Sequence, residues 1–148
     1  MSGGREAAEE LARRSAAAML ERDAASRGLG MVVEGVRPGY ARLRMLVRED
    51  MLNGHDTCHG GYVFMLADSA FTFACNSRDR ATVAAGAAIE FLAPGRAGDV
   101  LVAEAQKQSL GGRLGVYDVV VRREPDGERI ALFRGHSYGL NAPVIRVA

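Results

Sequence analysis

Asn53-Gly54-His55-Asp56-Thr57-Cys58-His59-Gly60-Gly61, followed directly by Tyr62–Cys75, settles the architecture of this chain. The first part is polar and glycine-rich and predicts a loop. The second is apolar on every side of a helical projection, yet it carries one carboxylate, Asp68. A helix apolar all round has to be surrounded by other structure. A lone acid in such a run is costly to bury unless it has a partner or a task. The glycine pair opening the helix leaves backbone N–H groups free. A polarising helix start together with a partly desolvated carboxylate is what acyl chemistry at a carbonyl needs.

Working outward, Arg5–Arg27 reads as a surface helix rich in Ala, Glu and Arg, stopped by Gly28 and Gly30. Met31–Glu34 predicts a short strand. Ala41, Leu43, Met45 and Val47 alternate with Arg42, Arg44 and Arg48, a half-buried strand with a basic outer face. After Asn76–Arg80 the pattern is all strand: Thr82–Leu92, Asp99–Leu110, Arg113–Arg123 and Arg129–Gly139, joined by Gly- and Pro-bearing turns. Short joins imply antiparallel pairing. The expected fold class is α+β: a curved antiparallel sheet of about six strands wrapped around one long apolar helix, with an extra N-terminal helix. This resembles the hotdog fold. Residues 1–30 should pack on a single domain formed by 31–148.

Composition narrows the function classes. With 148 residues, 48% hydrophobic, the chain makes one domain with a full core. A net charge of +1 gives no global field for nucleic acid or an anionic membrane. Two cysteines, Cys58 and Cys75, make no disulfide framework. Met1–Arg27 lacks the apolar core of a signal peptide, and no apolar run reaches the ~20 residues of a membrane span. The expectation is a cytoplasmic protein.

The residues themselves nominate a site. Asp68 on a rigid helix can act as general base or nucleophile, made more basic by desolvation. Gly60 can offer its N–H to a thioester oxygen, helped by the helix dipole. Gly60 and Asp68 are eight residues apart, or ~12 Å on a straight helix. They cannot both touch one reacting carbon. Either they serve different sites, or a second subunit brings its Asp68 to this Gly60, which predicts a two-fold dimer with composite sites. His55 and His59 flank Asp56 and Cys58, but without a downstream ligand or an H-E-x-x-H pattern no metal is expected. His59 is expected to fix the loop and Asn53 to donate to substrate or water. Cys58 reads as a small buried filler. Tyr62 and Met65 are placed to shape an acyl pocket.

Leu52-Asn53-Gly54-His55, Cys58-His59-Gly60-Gly61, Leu66-Ala67-Asp68-Ser69-Ala70 and Ala74-Cys75-Asn76-Ser77 resemble the signature of the phenylacetic acid degradation hotdog thioesterases. Ile89–Gly95 with Gly98-Asp99, and Gly115–Val119, are similar to later segments of that family. The resemblance implies hydrolysis of aryl-acetyl-CoA thioesters, with CoA as part of the substrate and no cofactor or metal. It implies that Gly60, beside Asn53 and His59, polarises the carbonyl while the facing subunit's Asp68 attacks it or activates water. It implies a homodimer, assembled as a dimer of dimers. Members often carry a hydroxyl before the Glu-Phe-Leu segment, where this chain has Ala84-Ala85-Gly86-Ala87-Ala88. Ser69 or Thr72 would have to supply it. For the CoA half, Gly61 beside the thioester and the turn Gly111-Gly112-Arg113 are candidates, with Arg78, Arg80 and Arg134. The alternatives are a same-fold acyl-thioester hydratase or dehydratase, and a non-catalytic acyl-CoA binding protein.

Overall fold

The computed structural model describes residues 2–147. Helix α1 spans Ser2–Arg22 and α2 spans Ala24–Gly28. Strands β1 (Val32–Arg37) and β2 (Tyr40–Leu46) follow, then a 3-10 turn at Glu49–Met51 and the central helix α3, Gly60–Cys75. Strands β3 (Thr82–Phe91), β4 (Val100–Gly111), β5 (Leu114–Glu124) and β6 (Arg129–Gly139) complete the chain.

The six strands form one sheet in the order β1-β2-β4-β5-β6-β3. Every ladder is antiparallel. The sheet wraps α3, as expected of a hotdog. Leu43 and Met45 of β2, Leu101 and Ala103 of β4, Val119 and Val121 of β5 and Phe133 of β6 meet Val63, Leu66, Ala70, Phe71 and Phe73 of α3 in one core. The Phe71 ring sits edge-on to Tyr117 at 5.6 Å and tilted against Phe133 at 5.8 Å. Such contacts add to the area buried.

Three expectations need correction. The N-terminal helix is two helices: at Asp23 the backbone leaves helical values, and its carboxylate accepts the Ser26 N–H at 2.9 Å. Aspartate favours such a cap over a helix interior. The basic outer face of β2 is largely neutralised, because Arg42 is ringed by Glu34, Glu104 and Glu124 and Arg48 pairs with Asp50, leaving Arg44 exposed. Nor is α3 enclosed on all sides. Val63, Leu66, Ala67, Ala70, Phe71, Phe73 and Ala74 are buried, but Gly61, Met65, Asp68 and Thr72 retain exposure. These four recur at spacings of four, three and four, which is one helical stripe. An open sheet has two edges and does not close over it.

The edges differ. β1 has α1 packed along it. Among the described residues β3 pairs only with β6, and its backbone and small side chains are exposed along most of its length.

Gly135 on β6 faces the Phe71 ring so closely that a Cβ there would lie 2.8 Å from three ring atoms. The ring is fully buried and has nowhere to move. Gly135→Ala should therefore lower stability by about 1–3 kcal/mol in urea denaturation. Gly3→Ala in α1, where nothing lies within 4 Å, should be neutral or slightly stabilising.

Candidate active site

The loop before α3 is held by its own polar groups. Asn53 Oδ1 accepts the His55 N–H at 2.9 Å and the Thr57 N–H and hydroxyl, both at 3.2 Å. Its amide Nδ2 makes no hydrogen bond to any described residue, so it remains a donor. The His59 N–H is tied to the Met51 carbonyl at 2.8 Å.

His59 is the N-cap of α3, and its Nδ1 accepts the Gly61 N–H at 2.9 Å. A ring nitrogen here does what Ser or Asp usually does. Neutral His59 accepting at Nδ1 carries its proton on Nε2. The Gly61 amide is thus committed to the cap and is not a substrate donor, against expectation. The Tyr62 and Val63 N–H groups both go to the His59 carbonyl. The Gly60 N–H is left without a partner among the described residues. Of the first amides of α3, Gly60 is the free donor.

Gly60 also has a neighbour that the sequence did not point to. A Cβ on it would lie 3.0 Å from the tip of the Phe91 ring. Phe91, at the end of β3, is 55% exposed. An apolar ring thus stands beside the free amide.

Asp68 lies two turns further along, ~12 Å from Gly60 by helical rise. Its carboxylate accepts no hydrogen bond from any described residue. Burial pushes its pKa above the ordinary carboxylate value, and the negative charge of Asp23 pushes the same way. Asp23 belongs to a segment that reads as plain surface helix. Its capping position beside Asp68 depends on how α2 packs, which no local pattern encodes.

Ser69 does not fit the expected hydroxyl role. It is buried, and its Oγ lies 2.8 Å from Ser26 Oγ. Ser26 Oγ in turn lies 2.7 Å from Asp23 Oδ2. A carboxylate only accepts, so Ser26 donates to Asp23 and Ser69 donates to Ser26. Ser69 ties α3 to α2, and its proton is spent there. Thr72 shares the open stripe with Asp68, as does Met65, and Tyr62 is half-buried near the helix start.

Burial pushes the Cys58 thiol up to about 11 and the Cys75 thiol up to about 12. Both stay protonated near neutral pH, so neither is an activated nucleophile. Among the described residues no group of three His, Cys, Asp or Glu could hold a metal ion. Gly112 and Arg113 sit at the far end of α3, beside Cys75. Arg134 is taken by Asp118 in a two-pronged pair at 2.6 and 2.8 Å.

The free amide, the loop and the raised carboxylate coincide with the region that comparison singles out. Residues 55–130 match the model of the thioesterase superfamily. The chain belongs to that superfamily and is a thioester hydrolase. It is 44% identical over 130 residues to the acyl-coenzyme A thioesterase PaaI of Escherichia coli, covering 88% of this chain and 92% of that protein. The solved structure of E. coli PaaI, from the phenylacetic acid degradation operon, superposes with a TM-score of 0.90 at 43% identity, over 92% of this chain and 98% of that one. TT0310 of Thermus thermophilus superposes at 0.74 with 38% identity, over 78% and 96% of the two chains.

The environment of Asp68 has a thermodynamic consequence. Its folded pKa lies above the unfolded value, so the folded chain holds the proton more tightly. The ionised carboxylate thus weakens the fold once pH rises through the folded pKa, and the neutral acid below the unfolded value, ~4, does not. Asp68→Asn, neutral throughout, should melt above wild type at pH 8, and the gap should close towards pH 4. A gap of the same size at both pH values in thermal scans would show that Asp68 is not electrostatically strained.

Proposed function

We propose that this chain hydrolyses aryl-acetyl-CoA thioesters of the phenylacetyl or hydroxyphenylacetyl type to the free acid and CoA, in the catabolism of phenylacetate, in the cytoplasm. The observation that carries the reading is the pairing of one free helix-start amide, Gly60, with one basic carboxylate, Asp68, on the same helix. Likeness to E. coli PaaI supports acyl-CoA as the substrate class. No helix among the described residues is long and apolar enough to cross a membrane.

In this reading the thioester carbonyl points at the Gly60 N–H, where the helix dipole stabilises the developing oxyanion. Asn53 Nδ2, another unspent donor of the loop, holds substrate or water. His59 serves by fixing the amide through its cap. Asp68 attacks the carbonyl or takes the proton of the attacking water, and the thiol of CoA leaves. Thr72 is the hydroxyl on the same stripe. Tyr62 and Met65 border the acyl group, and Phe91 stands near enough to Gly60 to meet an aromatic ring.

In this reading the ~12 Å between Gly60 and Asp68 along one helix is bridged by a second copy, whose Asp68 serves this Gly60. The free edge of β3 favours such an assembly. An unpaired strand edge is a ready template for another strand. Ala84, Ala85, Gly86, Ala87 and Ala88 present no bulk against a close approach. Two β3 edges paired about a two-fold axis would set the open stripes of two α3 helices near one another, giving two composite sites. A dimer of dimers would follow by packing of remaining surfaces.

A panel of CoA thioesters, read with a thiol reagent, tests the substrate. Phenylacetyl-CoA and its hydroxylated forms should be cleaved with a higher kcat/KM than acetyl-CoA. Equal rates across aryl and alkyl esters would remove the aryl-acetyl assignment and leave the thioesterase.

Complementation tests the shared site. Asp68→Asn should lose about 10²-fold or more in kcat. Gly60→Pro removes the N–H while suiting the first position of a helix. The His59 backbone, φ −57° and ψ 135°, already suits a following proline. Only the Phe91 ring must give way, so folding is checked by circular dichroism. Mixed dimers should recover up to half the wild-type activity, since one site then has both intact groups. Subunit exchange without recovery would place the site within one chain.

A further inference from the structure

The far end of α3 carries a second built feature. A cavity of about 100 Å³ lies there, lined by Cys75, Arg78, Arg80, Arg113, Tyr117 and Ser137 among others. By volume it has room for about three water molecules, or one tetrahedral oxyanion. It is ~22 Å along the helix from Gly60, well apart from the carbonyl-polarising end.

Three arginines converge on this small space, and none forms an ion pair with a carboxylate among the described residues. The acid closest in sequence, Asp79, is turned away and accepts the Val144 and Ile145 N–H groups at 2.9 and 2.7 Å. Nor are all three arginines needed to close the end of α3. Asn76 Nδ2 already donates to the Thr72 carbonyl at 2.9 Å, and Ser77 Oγ donates to the Ala74 carbonyl at 2.7 Å. Arg80 donates to the backbone carbonyls of Leu140 and Gly112, and Arg113 donates to the Gly139 carbonyl and to Asn141 Oδ1. Each guanidinium has five N–H donors, so donors remain on both. Arg78 is exposed and lies against the Tyr117 hydroxyl.

The second observation is independent of the charge. Ser137 is 1% exposed, and its hydroxyl has no hydrogen-bond partner among the described residues. Buried hydroxyls are nearly always paired, and an orphan calls for an explanation. Gly115 makes the space for it, since a Cβ there would lie 2.5 Å from Ser137 Oγ. An unspent hydroxyl in a cavity ringed by unpaired arginines describes a receptor for an anion.

We propose that the cavity bounded by Arg78, Arg80, Arg113 and Ser137 binds a phosphate-like oxyanion, the arginines neutralising it and the Ser137 hydroxyl donating to it. The site stands on these residues and not on the assignment of Gly60 and Asp68. A phosphate group of CoA and free inorganic phosphate share this chemistry.

Inorganic phosphate is the probe. It is titrated into the purified full chain by calorimetry, at constant ionic strength against chloride. Wild type should bind it saturably. Arg78→Glu should weaken binding about tenfold or more, and Ser137→Ala by a smaller factor. Ser137→Ala should melt as wild type does in chloride; Arg78→Glu also gives up its contact to the Tyr117 hydroxyl, so its fold is checked by circular dichroism before binding is read. Absence of saturable binding to wild type overturns the proposal, as does equal binding by wild type and both variants. Kinetics with a CoA thioester and its 3′-dephospho analogue then identify the source. A rise in KM in Arg78→Glu confined to the phosphorylated ester assigns the anion to the substrate. An equal KM effect on both esters, with phosphate binding still lost, assigns it to a free anion. Phosphate binding is read without turnover, so its failure is distinct from failure of the hydrolase reading.

Discussion

An apolar helix laid on an open sheet cannot be covered completely, and the molecule is organised around that constraint. The sheet curls far enough to bury the Phe71 ring against Tyr117 and Phe133, and it does so only because β6 has a glycine where the ring passes. What the sheet cannot reach is the stripe Gly61-Met65-Asp68-Thr72. The same packing that fixes α3 rigidly therefore decides which of its side chains meet solvent. Helix and candidate site are two readings of one surface division.

The core of this arrangement was legible because it is periodic. Alternation through Ala41, Leu43 and Met45, and the apolar run to Cys75 broken by Asp68, placed strand and helix without reference to anything distant. The strand boundaries of β4, β5 and β6 followed from their turns within a residue or two. What stayed hidden depends on which hydrogen bond wins among several that a side chain could make. Ser69 and Thr72 are equivalent hydroxyls on paper, and only the packing of α2 commits one of them to Ser26. Gly60 and Gly61 are equivalent glycines until His59 takes the second amide. Asp23 stands beside Asp68 across a long gap in sequence, and Phe91 beside Gly60 likewise. Such pairings are tertiary facts that no local pattern carries.

Electrostatics separate the two ends of α3. At its start lie a free N–H and the positive end of the helix dipole. Midway, a carboxylate without a hydrogen-bond partner sits near a second carboxylate. At its close, Arg78, Arg80 and Arg113 gather without an ion pair among the described residues. A negatively charged, extended ligand lying along the helix would meet attraction at both ends and a base between them. The outer face of the sheet is different in kind, its charges cancelled locally by pairs such as Arg134–Asp118.

The placement of β3 has a consequence for how the chain folds as it is made. Its one partner within the chain is β6, the last strand to be synthesised. Between completion of Phe91 and of Gly139 a ribosome working at about 5–20 residues per second needs roughly 2–10 seconds. For that interval β3 has neither of its edges paired. A strand of valine and isoleucine in that position would be an aggregation hazard. Between Val83 and Ile89 the strand is Ala84-Ala85-Gly86-Ala87-Ala88, residues that are poor strand formers and offer little apolar surface. The composition that leaves the finished strand open to a neighbour also keeps the nascent one from finding the wrong neighbour.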